Sequence, residues 1–139
     1  MENRKNKMRK IKSALISVSD KSNLKLILNE LNKNNVKLIS SGGTFKTLKK
    51  LGFQSTEVSD FTGSKEILNG RVKTLHPKIY AGILNKRKNK SHLNQLKKNN
   101  YENIDLIIVN FYPFEKILKQ INNHDKIIEN IDIGGPTMV

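Results

Sequence analysis

Apolar positions fall into two rhythms that alternate along the chain. Short continuous runs at residues 13–18, 36–40 and 105–109 suit buried strands, each too short for a helix and bounded by polar residues. Between the first two, Leu24, Ile27, Leu28 and Leu31 recur at i, i+3, i+4 and i+7, and Phe45, Leu48 and Leu51 mark one face of a second helix. Ser19 or Asp20 is placed to cap the first helix, Asn34-Asn35 to end it and Gly52 to stop the second. A third, less apolar strand is expected over 54–58. From 61 to 77 the pattern loosens into a loop with at most a short helix, a common form of binding loop. Helices are expected over 79–84, 91–99 and 125–131, and another in which Phe114, Ile117, Leu118 and Ile121 share a face. Strands alternating with helices argue for a parallel sheet covered on both faces, which binds ligands at the carboxyl ends of its strands.

Three polar runs lie where such a fold keeps its ligands. Ser17-Val18-Ser19-Asp20-Lys21 and Ser40-Ser41-Gly42-Gly43-Thr44 each pass from a strand-like to a helix-like stretch, so the N–H groups of a helix start would face an anion. Arg71-Val72-Lys73-Thr74-Leu75-His76-Pro77 adds a fixed cation and a hydroxyl in the loose central segment. Three such runs in a chain of one-domain length make a phosphate-bearing small molecule the leading ligand class. Taken singly, each run has an ordinary use as a strand end, a helix cap or a solvated lysine. Tyr112-Pro113 is equally suited to ending a strand, and Asp132 to capping a helix near Gly134.

Composition narrows the picture further. At 139 residues the chain can form an ordinary core unaided, and its lack of cysteine removes disulfides and thiolate chemistry. No stretch approaches the ~20 apolar residues of a membrane span, so a cytoplasmic protein is the default. The formal charge of +14 invites a nucleic-acid reading. Yet the basic residues are mostly lysine, spread along the chain beside abundant asparagine and isoleucine, without clustered arginine and stacking aromatics. Lys, Asn and Ile all have AT-rich codons, so compositional drift together with an anionic small substrate explains the charge better than DNA or RNA. His76 before Pro77 reads as structural, His92 and His124 as surface residues, and the three share no metal-ligand spacing, so no metal is expected. Residues 1–12 read as a basic disordered arm and 13–139 as one domain that stops at the start of a helix, after Gly134-Gly135-Pro136.

The strings Gly70-Arg-Val-Lys-Thr-Leu-His-Pro and Ile131-Asp-Ile-Gly-Gly-Pro-Thr-Met, with Ser17–Lys21, Ser41–Thr44 and Asn110–Phe114, resemble the N-terminal domain of the bifunctional purine-biosynthesis enzymes, AICAR transformylase/IMP cyclohydrolase. The resemblance runs from about Ser13 to the last residue. It implies an α/β, methylglyoxal-synthase-like three-layer fold with a mostly parallel central sheet. It also implies closure of formyl-AICAR to IMP with loss of water and no cofactor. 10-Formyltetrahydrofolate would serve only the transformylase domain, which is absent here.

Carried onto this sequence, the resemblance assigns the 5′-phosphate to Lys21, Ser41, Gly43, Thr44, Arg71 and Thr74, with Ser17, Ser19 and Gly42 beside them. Arginine can hold phosphate bidentately, and lysine acts as a point charge. Lys73 and the backbone around Ile133-Gly134 would stabilise charge on the formyl oxygen. Asp132 would receive or orient the carboxamide proton, Tyr112 would relay or position, and Asn110 would orient the base. The family motif continues into an Arg-x-Ala-Ala-Lys-Asn helix whose lysine belongs to the catalytic set, so the 139 residues are expected to be catalytically incomplete. A purine ribotide is the implied partner, and a homodimer is implied through the transformylase domain. A non-catalytic phosphate- or nucleotide-binding module is the alternative, a methylglyoxal-synthase-type lyase the next, and nucleic-acid binding the last.

Overall fold

The computed structural model describes residues 9–120, 123–129 and 131–139. Four strands, β1 (Ser13–Val18), β2 (Lys37–Ser40), β3 (Thr56–Glu57) and β4 (Leu106–Asn110), form one sheet in the order β3-β2-β1-β4. Every pairing is parallel, with Leu15 opposite Ile39 on one side and Ile107 on the other. The helices are α1 (Leu24–Lys33), α2 (Gly42–Lys50), α3 (Val58–Thr62), α4 (Pro77–Leu84), α5 (Lys90–Lys98), α6 (Phe114–Gln120), α7 (His124–Glu129) and α8 (Gly134–Thr137).

The period-2 alternation of β1 divides the core between the two faces of the sheet. Ala14, Ile16 and Val18 pack with Leu24, Leu28 and Leu31 of α1 and Leu48 of α2. Leu15 packs on the other face with Ile39, Val58, Phe61, Ile79 and Met138. Helices therefore cover both faces, which gives the three-layer α/β architecture.

Several local expectations need correction. Neither Ser19 nor Asp20 caps α1: Asp20 Oδ1 accepts from Ser22 N–H and Ser22 Oγ, and the helix begins after Asn23, whose φ is 60°. Ile27 and Leu51 lie on the solvent side, because the buried stripes of α1 and α2 are narrower than their apolar pattern. The strand expected over 54–58 pairs only at Thr56 and Glu57, and Val58 already opens α3. β4 is only half-buried along its length, since it is the edge strand of the described sheet. His92 is half-buried rather than a plain surface residue: its Nδ1 accepts from Lys86 N–H and ties down the α4–α5 connection. His76 caps α4 through Nδ1, which accepts from Lys78 N–H at 3.1 Å. Residues 1–8 of the expected arm, Ile121 and the side chain of Ile117 lie outside what is described. Lys12 is tied to the domain at both backbone groups, to the Asp105 carboxylate and Lys37 N–H.

Candidate functional site

All four strands run the same way, so the loops after β1, β2, β3 and β4 emerge at one end of the sheet. Two contacts pin them together. Thr44 Oγ1 accepts from Val18 N–H and donates to Val18 C=O, both at 3.1 Å, which fastens the start of α2 to the end of β1. Asn110, the last residue of β4, accepts from Ser19 and Asp20 N–H through Oδ1 and donates to Asp20 C=O through Nδ2. The resemblance assigns these two residues direct phosphate and base contacts; in the fold they hold the loops, and Asn110 Nδ2 keeps a second N–H beyond its bond to Asp20.

The floor of the site is Gly42-Gly43 at the start of α2. Gly42 has a φ of +51°, a conformation natural to glycine, and a Cβ there would stand 3.5 Å from Lys73 Nζ. A Cβ on Gly43 would stand 3.9 Å from Lys21 Nζ. Lys21 is steadied by the Ser19 carbonyl at 3.1 Å. Two ammonium groups from distant parts of the chain thus flank neighbouring glycines, at the end of a helix where backbone N–H groups lack intrahelical partners. Ser41 is buried at the N-cap position, its carbonyl accepting from Thr44 and Phe45 N–H. A cavity of about 310 Å³ opens beside them, lined by Ser41, Gly42, Lys73, Glu57, Ser59 and Glu66, among others.

The remaining runs join at the same end. Thr74 is buried, and its Oγ1 lies 2.8 Å from where a Gly134 Cβ would be. Asp132 Oδ1 accepts from Gly135 N–H at 3.0 Å, so this carboxylate braces the turn into α8. Phe111 closes on the same glycine, 3.2 Å from its Cβ position. Lys21, Gly43, Gly42 and Lys73 are thus near neighbours, as are Thr74 and Gly134, and Asp132 and Phe111 both approach Gly135. Ser17 is half-buried near the end of β1, and Arg71 is exposed in the turn that precedes Lys73. Tyr112 and Ile133 are more than half exposed at the margin of this group.

Glu66 was not singled out in the sequence, although it lines the cavity and approaches Lys73 across Gly70. The signal was the dipeptide Asn69-Gly70, a common two-residue hairpin turn. In the structure the turn over 68–71 is closed by a bridge between Ile67 and Val72, and Glu66 and Lys73 flank that bridge. A larger cavity, about 770 Å³, lies at the opposite, amino end of the sheet, lined by Arg9, Lys12, Lys37, Arg87, Tyr101 and Glu102 among others. None of the sequence-predicted site residues borders it. Among the described residues, no group of His, Asp and Glu could hold a metal ion, and no helix is long and apolar enough to cross a membrane.

A parallel sheet with helices on both faces and a glycine-floored, lysine-flanked end defines a three-layer α/β domain. The chain belongs to the MGS-like domain family, which it matches over residues 23–137. It is similar to the N-terminal region of proteins described as bifunctional purine biosynthesis protein PurH. The one from Acetivibrio thermocellus is 54% identical over 130 residues, covering 93% of this chain and 25% of that protein. For Clostridioides difficile the figures are 52% over 128 residues, 92% and 25%. For Prochlorococcus marinus they are 53% over 127 residues, 91% and 25%. The chain spans about a quarter of the length of these curated relatives. The crystal structure of ForH shares the fold with a TM-score of 0.77 and 29% identity, over 92% of this chain and 65% of that one.

Proposed function

We propose that this chain is an IMP cyclohydrolase domain of purine biosynthesis, closing formyl-AICAR to IMP. The observation that carries the reading is the placement of Lys21 and Lys73 over adjacent glycines at the start of α2. Two ammonium groups beside the positive end of a helix favour an anion placed between them, and the Glu66 carboxylate approaches Lys73 alone. A ribotide 5′-phosphate meets that need, and the similarity to purine biosynthesis proteins supplies the purine context.

In the ring closure the carboxamide nitrogen attacks the formyl carbon, a C–N bond forms, and the formyl oxygen leaves as water. No electrons are exchanged with a third party, so the step asks only for charge stabilisation and proton movement. Lys73 can offset the charge that grows on the formyl oxygen. Asp132, braced on Gly135, is held where it can orient the carboxamide, and exposed Tyr112 can swing toward the entering ribotide. Thr44 and Asn110 contribute by holding the loops.

The test is paired: calorimetric binding of inosine monophosphate to the chain, and IMP formation from formyl-AICAR by absorbance. Binding with turnover supports the proposal. Binding without turnover, in the chain and in a version extended through the Arg-x-Ala-Ala-Lys-Asn helix, supports the second reading, an anion-binding module. Absence of both removes the ribotide reading.

A further inference from the structure

The segment 66–73 folds back on itself as a tight hairpin. Ile67 and Val72 form an antiparallel bridge, with Ile67 N–H donating to Val72 C=O at 3.1 Å and Val72 N–H returning the bond at 3.3 Å. Arg71 N–H closes the turn on Leu68 C=O at 3.1 Å. Leu68, Asn69 and Gly70 have φ values of 53°, 54° and 82°. Left-handed backbone at a leucine is unusual and costs free energy that the surrounding structure must offset.

That backbone has a consequence for the side chains. Glu66 and Lys73 flank the bridged pair of residues 67 and 72, one on each arm of the hairpin. Gly70 shows how near they come: a Cβ on this buried glycine would lie 3.2 Å from Glu66 Oε2 and 3.3 Å from Lys73 Nζ. The carboxylate and the ammonium converge on one point, and the ammonium reaches from there to Gly42. A lysine drawn toward a helix start faces a like partial charge. An opposite charge on its other flank fixes where it stops.

We propose that Glu66 is a positioning residue that holds the Lys73 amine over Gly42, with Gly70 keeping open the space between them. Glu66 touches no reacting atom in this scheme. The inference rests on the proposed function for its meaning in catalysis, but its test does not.

The experiment is competitive acylation of the full chain with trace acetic anhydride, read by mass spectrometry lysine by lysine. Lys65, in the same loop but outside the hairpin pairing, serves as the internal control. In Glu66→Gln the acylation rate of Lys73 should rise about threefold relative to Lys65, the size expected of one cross-strand charge pair. Glu66→Asp keeps the charge and should stay near the wild-type rate. An unchanged Lys73 rate in Glu66→Gln overturns the proposal. So does a parallel rise at Lys73 and Lys65, which would mean general loosening of the loop. Failure of inosine monophosphate to bind the wild-type chain would strike the functional reading alone.

Discussion

At the amino end of the sheet, Lys37 meets Glu102 at 2.8 Å, and Arg87 gives its guanidinium to the carbonyls of Gly82 and Ile104 and to Asp105. At the carboxyl end, Lys21 and Lys73 stand beside Gly43 and Gly42, and among the described residues neither forms a direct ion pair. The amino end has the larger cavity, about 770 Å³ against 310 Å³. Of the cations that line it, Lys37 and Arg87 are nevertheless committed to carbonyls and carboxylates of the fold. Room alone does not mark a ligand site; positive groups held close together with their charge left for something else do.

The sharpest break between the two ends should come from Lys73→Met. Loss of a charge donor aimed at a developing oxyanion typically costs roughly 10²–10³ in kcat. Steady-state IMP formation by a version extended through the Arg-x-Ala-Ala-Lys-Asn helix should show that loss, with a smaller change in KM. The same substitution at Lys97, which borders the amino-end cavity, should leave turnover alone. Equal effects at both lysines would dissolve the distinction.

Next in size is Arg87→Met, which probes the other end. The Arg87 side chain is 14% exposed and bonds two backbone carbonyls, at 3.0 and 2.6 Å. Removing it leaves Asp105 without its cation and two carbonyls short of a donor, a loss of about 2–3 kcal/mol in urea unfolding. Inosine monophosphate affinity should not follow. Gly82→Ala should act in the same region at about 1–3 kcal/mol, the usual penalty of overpacking. Its Cβ would come within 2.7 Å of the Glu102 carbonyl, a backbone atom that cannot swing aside. Stability of Gly82→Ala within error of wild type would show that the α4 contact with residues 102–104 is looser than its geometry.

The comparison also explains which parts were legible in the sequence. β1, β2 and the buried stripe of α1 follow from local periodicity, and Gly42-Gly43 from the demand for glycine at a turn into a helix. Lys73 was legible as a charge in a loop, yet nothing local places its amine over Gly42. Thr44 and Asn110 were read as ligand contacts because a hydroxyl and an amide beside a glycine run suit an anion. Their partners within the fold, Val18 and the Ser19-Asp20 backbone, are brought to them only by the sheet order β3-β2-β1-β4. β3 shrank to two residues because pairing with β2, rather than composition, decides a strand at an edge. Glu66 alone had an overlooked local signal, the Asn69-Gly70 turn.

Lys37→Ala should give the smallest effect and the cleanest control. Its amine lies 2.8 Å from Glu102 and 5.6 Å above the Phe61 ring, so contact geometry alone makes it look as important as Lys73. Its side chain is 42% exposed and that of Glu102 53% exposed, so water and salt screen the pair. Exposed pairs of this kind contribute about 0–1 kcal/mol. The variant should therefore unfold in urea within that margin of the wild type, and raising salt should narrow the gap further. Inosine monophosphate affinity should be unchanged, because residue 37 opens β2 while the glycine floor lies beyond its other end. A marked loss of affinity in Lys37→Ala would instead make the two ends one electrostatic unit, with net charge rather than the placement of Lys21 and Lys73 drawing the anion in.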